Sequence, residues 1–143
     1  MVFTIGPVET EMVIKLIVSA VLGGLVGFER EIHRKPAGLR THSLVCIGAT
    51  LFTIMSINIV GADPSRIAAG IVMGIGFLGA GMIFKSEDRV RGLTTAAELW
   101  VLAAIGLAIG LGFYFAALIT TLIIIFILIP LKYMEREARE VMD

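Results

Sequence analysis

Charge is missing from the long stretches of this sequence, and cysteine is all but absent. One cysteine, Cys46, among 143 residues leaves no partner for an intrachain disulfide and no further thiolates to gather a metal, so it reads as a small core residue. The two histidines, His33 and His42, have neither metal-ligand spacing nor a nucleophile motif around them, and neither is expected deep in a span. No phosphate-binding loop follows a strand, so no nucleotide-driven engine and no enzyme is expected. The N-terminus has no basic region before its first apolar run and carries Glu9 and Glu11 instead, which argues for a retained helix over a cleaved signal peptide.

Apolar sequence is what the chain has in abundance. Hydrophobic residues make up 57% of it and the mean hydropathy is +0.95, far outside the range of a soluble domain. A bilayer's hydrocarbon core takes about 20 helical residues to cross. Five runs qualify: Met12–Phe28, Leu39–Val60, Ile67–Phe84, Thr95–Leu111 and Phe113–Leu131. The expected fold is all-α, a single domain over residues 1–143 built as a bundle of five transmembrane helices, with no soluble C-terminal domain. The turn at Gly110 to Gly112 is too short for anything but antiparallel neighbours, and Lys132 to Asp143 reads as a charged helical stub at the membrane surface.

The formal net charge of zero hides clustering. Lys and Arg number none before the first span, four after it (Arg30, Arg34, Lys35, Arg40) and one after the second (Arg66). Three follow the third (Lys85, Arg89, Arg91), none the fourth, and three lie in the tail (Lys132, Arg136, Arg139). Alternate segments hold ten against one, which by the positive-inside rule predicts the N-terminus outside and the C-terminus in the cytoplasm. Lys15, inside the first span, stands four residues after Glu11 and shares a helix face with it. Asp63 or Ser65 is placed to cap the third helix beside Pro64.

Glycine is concentrated in the spans. Gly23/Gly27, Gly70/Gly74 and Gly106/Gly110 form three G-x-x-x-G pairs, and Gly76, Gly79 and Gly81 extend the middle one. Without a Cβ, backbones approach closely, so these are expected helix-packing positions, either within the chain or at a homodimer seam. The literal G-x-G-x-x-G at Gly76 to Gly81 is not a dinucleotide fingerprint, because no strand precedes it and the run is apolar. So many glycines also allow a break or a backbone-lined cavity in helix three.

Three blocks of sequence are specific enough to carry a resemblance. They are Gly27-Phe-Glu29-Arg30-Glu31 followed by Ala37-Gly38-Leu39-Arg40-Thr41; Arg66-Ile-Ala-Ala-Gly70 running into Gly74-Ile-Gly76-Phe77-Leu78-Gly79-Ala80-Gly81; and Val90-Arg91-Gly92-Leu93-Thr94-Thr95-Ala96-Ala97 with Leu99-Trp100. The chain resembles the membrane domain of the MgtC/SapB family over nearly its whole length. The resemblance implies a small inner-membrane protein associated with growth under magnesium limitation, regulatory or homeostatic in character, and it raises Glu29, Arg30, Arg40, Arg66 and Arg91 above ordinary loop charges. Many members carry a further cytoplasmic domain after the last helix. Glu98 departs from the small or hydroxylated residue the resemblance leads one to expect there, so no family role is carried onto it.

Among the charges, Glu98 asks most for a partner, since an ion near membrane depth costs about 2.5–3.5 kcal/mol on insertion scales. Near Thr94 and Thr95 at the start of helix four, it is either an interfacial carboxylate stabilised by the helix dipole or a cation or proton site. Glu29, Arg30, Arg40, Thr41 and Arg91 are expected to meet as a mixed-charge network at the cytoplasmic face. No cofactor is evident, and although magnesium fits the resemblance, no octahedral oxygen set stands out for it. The expected partners are the bilayer, further copies of the chain in a homodimer or larger oligomer, and another membrane protein, with no nucleic acid. The expected function is non-enzymatic regulation of a membrane partner in magnesium homeostasis; the alternative is a small oligomeric transporter or channel.

Overall fold

The computed structural model describes residues 6–59, 63–86 and 89–129. Five helices dominate it: α1 (Pro7–Ile32), α2 (Leu39–Asn58), α3 (Pro64–Gly81), α4 (Leu93–Gly110) and α5 (Tyr114–Leu128). The first four are long and apolar enough to cross a membrane; the described part of α5 is shorter, at 15 residues. The expected end of the fifth span at Leu131 and the charged tail lie outside the described residues.

Helices α1 and α3 differ most from their expected spans. Helix α1 runs past the expected span at both ends, so Glu29, Arg30 and Glu31 belong to its last turns and not to a loop. Helix α3 stops at Gly81, three residues early, because the chain turns into an antiparallel ribbon of β1 (Phe84–Ser86) and β2 (Arg89–Arg91) that hydropathy alone did not disclose. Gly92 closes this ribbon onto α4. Its φ of +85° is left-handed, and a Cβ there would run into the Met82 carbonyl, so glycine is required twice over. At its other end α3 starts on Asp63, whose Oδ1 accepts from the Ser65 amide at 2.9 Å. Hydrogen bonds from the Ser65 hydroxyl, then from its amide, hold the Asp63 carboxyl below its usual range.

Helix α2 is the hub, packed against α1 on one side and α4 on another, with α3 alongside. Its inward positions are small or polar (His42, Cys46, Ala49, Thr50, Thr53), and the facing helices meet them with glycine. At Gly23 an added Cβ would stand 2.8 Å from the Cys46 Cβ, and at Gly27 it would stand 2.7 Å from the Leu39 Cα. At Gly110 the obstacle is Thr53, 2.5 Å away, and at Gly106 it is the Cys46 carbonyl. The approach permits one interhelical hydrogen bond in the dry core, from Thr50 Oγ1 to the Gly106 carbonyl at 2.9 Å. Leu22, Val26, Leu102, Ile105, Ile109, Ile124 and Leu128 fill the remaining space between α1, α4 and α5.

Helix α3 is packed differently. Only 11% of it is buried, against 50% of α4. Gly70, Gly74, Gly76 and Gly81 have no atom within 4 Å of the place a Cβ would take, and Gly79 meets Ala96 at an ordinary 3.7 Å. The four open glycines therefore do not seat helices within this chain.

Gly106→Leu is expected to lower thermal stability in detergent by more than the ~1–3 kcal/mol of ordinary overpacking, because backbone stands in the way. Gly76→Leu, pointing into open space, should stay within about 0.5 kcal/mol of the parent. Equal melting temperatures for the two variants would contradict this packing.

Candidate functional site: a buried charge cluster

The stripes that seat α1, α2 and α4 together continue into charged residues. On α1 the buried series Ser19, Gly23, Gly27 leads to Arg30 one turn later. On α2 the series Thr53, Ala49, Cys46 leads back to His42, and on α4 Gly106, Leu102 and Leu99 lead back to Glu98 and Thr95. Helical periodicity therefore points all three ionisable groups at the same interior volume. Arg30 is 4% exposed, Glu98 5% and His42 0%.

Arg30 is central. Its Nε lies 3.0 Å from Glu98 Oε2 and its Nη1 donates to Glu29 Oε2 at 3.2 Å, so one guanidinium spans two carboxylates and ties α1 to α4. The Arg30–Glu98 contact has the separation of an ion pair, but the N–H is not aimed at the oxygen, so the attraction is Coulombic more than directional. His33, at the end of α1, directs Nδ1 at the Glu29 carbonyl at 2.9 Å and lies 2.8 Å from Glu29 Oε1. His42 pairs Nδ1 with the Gly38 carbonyl at 2.9 Å. A carbonyl only accepts, so that nitrogen carries the proton; Nε2 lies 3.6 Å from Glu98 Oε2, beyond hydrogen-bond distance.

Five buried polar atoms here lack an aligned hydrogen-bond partner: Glu29 Oε1, Arg30 Nε, His42 Nε2 and both Glu98 oxygens. The cluster sets two carboxylates around one guanidinium, with His33 and His42 beside them, and its hydrogen bonding is incomplete. Among the described residues no three His, Cys, Asp or Glu side chains are placed to hold a metal ion.

The other polar residues singled out in the sequence lie elsewhere. Arg40 and Thr41 are exposed around a depression of ≈ 320 Å³ that they share with Glu31, Arg34 and Lys35, and Glu31 Oε2 accepts from the Leu39 amide at 2.9 Å to cap α2. Arg91 is exposed on β2, and Thr94 is exposed while Thr95 is buried beside Glu98's turn. Arg66 stands at the opposite end of the bundle, at the start of α3. Lys15 is buried with its Nζ 2.8 Å from Glu11 Oε1. The residue that sequence reasoning missed is His42, placed there at the surface and found fully buried; its spacing of four from Cys46, on the stripe of small residues, is the signal that marks it.

Arg30→Lys is not conservative here, because Arg30 meets Glu29 through Nη1 and Glu98 through Nε, two separate nitrogens that a lysine replaces with one point charge. It is expected to cost about 1.5–3 kcal/mol by thermal unfolding in detergent, the range of a hydrogen bond to a charged group. Arg40→Lys should change little; equal losses at the two positions would contradict the bridging geometry.

Comparison with known proteins agrees with the three sequence blocks. The model of the MgtC family matches residues 16–137. YhiD of Escherichia coli K12, whose name marks it as a candidate magnesium transporter, is 49% identical over 113 residues, covering 73% of this chain and 53% of its own. Protein MgtC of Brucella abortus strain 2308 is 52% identical over 105 residues (73% and 44%), and Protein MgtC of Salmonella typhimurium strain 14028s is 48% identical over 113 (79% and 49%). The chain thus spans about half the length of the curated relatives it matches. No solved structure matches it. This membrane protein belongs to the MgtC family.

Proposed function

We propose that the protein is a non-enzymatic component of magnesium homeostasis in the inner membrane, acting by regulating another membrane protein. Family membership and the name of the YhiD relative support the process. The observation that carries the mode of action is the state of Glu98: the one carboxylate within the expected spans lies 3.0 Å from the Arg30 guanidinium, so its charge is spent inside the bundle and not offered to a passing cation. A dedicated site for a hydrated divalent ion takes several oxygen ligands, and among the described residues no three His, Cys, Asp or Glu side chains are grouped to hold one.

The contact surface in this reading is the lipid-facing side of α3, where Met73, Gly76 and Phe77 stand exposed, together with the basic ribbon that follows it. An open glycine lets a second helix approach closely, whether from a different protein or from another copy of the chain in a homodimer or larger oligomer. The bias of Lys and Arg between alternate connections puts the ribbon on the cytoplasmic side. The name of the YhiD relative favours the competing reading, a small oligomeric transporter.

Liposomes containing only the purified protein are expected to show no flux of magnesium, protons or monovalent cations above protein-free vesicles. Selective flux that is lost in Glu98→Gln would overturn the regulatory reading and make the carboxylate part of a pathway.

A further inference from the structure

A groove of ≈ 560 Å³ runs between α2 and α3, floored by α4 at Ala103. Gly48 on one wall and Gly70 and Gly74 on the other leave it open, with nothing within 4 Å of where their Cβ atoms would stand. Every lining residue is apolar except one, Arg66, which sits at the groove's end in the first turn of α3.

That arginine is anomalous twice. It is the single basic residue in a connection on the end of the bundle otherwise cleared of loop cations, ten of which lie in the other connections and the tail. It is also exposed and, among the described residues, makes no ion pair; the Asp63 carboxylate nearby is engaged with the Ser65 amide instead. From Arg66 to Leu78 the groove follows α3 for about 18 Å at roughly 1.5 Å per residue. This is comparable with the roughly 15 Å of hydrocarbon in one leaflet. A cation at headgroup depth above a leaflet-long apolar channel complements one kind of molecule, a lipid with an anionic head and a long acyl chain.

We propose that the α2–α3 groove is a binding site for an anionic phospholipid, its phosphate on the Arg66 guanidinium and an acyl chain lying against Gly48, Gly70 and Gly74. The bare backbone at these glycines lets the chain sit deeper than it would against ordinary side chains, so its methylenes gain contacts that bulk lipid beside a smooth helix lacks. The guanidinium adds the headgroup preference, and its planar fork suits phosphate oxygens.

The test is native mass spectrometry of the full chain from detergent, titrated with phosphatidylglycerol or with phosphatidylethanolamine of the same acyl chains. The parent is expected to retain one phosphatidylglycerol in preference to phosphatidylethanolamine. Arg66→Gln should lose that preference by roughly fivefold while Arg66→Lys keeps most of it. Gly74→Leu should reduce retention of both lipids by filling the groove, and Gly48→Leu does the same from the opposite wall should the first variant fail to fold. Equal retention of the two lipids by the parent, or undiminished phosphatidylglycerol binding in both the arginine-to-glutamine and the groove-filling variants, would overturn the proposal. So would a dimer that Gly74→Leu abolishes with no lipid retained, since that outcome assigns the groove to a second copy of the chain.

Discussion

A guanidinium sealed among helices that face lipid is the constraint on which the rest of the bundle depends. Arg30 cannot be left unpaired at 4% exposure, and its partners are on its own helix (Glu29) and across the bundle (Glu98). Meeting Glu98 fixes how far α1 and α4 slide past one another. His42 wedges between them from α2 and fixes the third helix to the same level. The glycines are the other half of this arrangement: with a Cβ at Gly27, the Leu39 backbone would be pushed away and His42 with it. Close packing and buried charge are thus one device. The glycine stripes bring the helices near enough for short side chains to reach, and the charges set the register at which they lock.

How much of this was legible in the sequence depends on what each residue answers to. The helices were readable because lipid imposes length and apolarity on any segment that crosses it, and Gly23, Gly27, Gly106 and Gly110 stood out by spacing alone. The inward aim of Arg30, His42 and Glu98 was in the sequence too, since each continues a stripe of buried residues by three or four positions. Reading a charge as a boundary hid it, because hydropathy treats the first Glu or Arg as the end of a span whether it faces water or the core. The ribbon at residues 84–91 was not legible: three-residue strands leave no periodicity, and only Gly92, with its left-handed φ, hints at a reversal there. Spacing could not distinguish Gly70 and Gly74, open to a groove, from Gly106 and Gly110, pressed on α2. A glycine pair marks where something can approach, and only the fold says whether the chain itself does so.

The molecule therefore has a tight half and an open half. Helices α1, α2, α4 and α5 enclose the apolar core and the charge cluster, while α3 leans on α4 and leaves most of its surface to the membrane. The proposed regulatory role draws on both properties, a body that presents a fixed surface and a face not already consumed by its own packing. Glu98 lies within the first two turns of α4, which follows the ribbon directly.

The most direct measurement is a double-mutant cycle on Arg30 and Glu98, each replaced by Met singly and together, with unfolding followed in detergent. Arg30→Met strands the Glu29 and Glu98 carboxylates in the interior and is expected to lose about 3–5 kcal/mol, while Glu98→Met leaves Arg30 its Glu29 partner and should lose less. The double variant should lose less than the sum of the two singles, giving a coupling between the two sites. Single losses that simply add in the double variant would show that the two groups are buried independently, and the account of a bundle registered by its interior charges would fail.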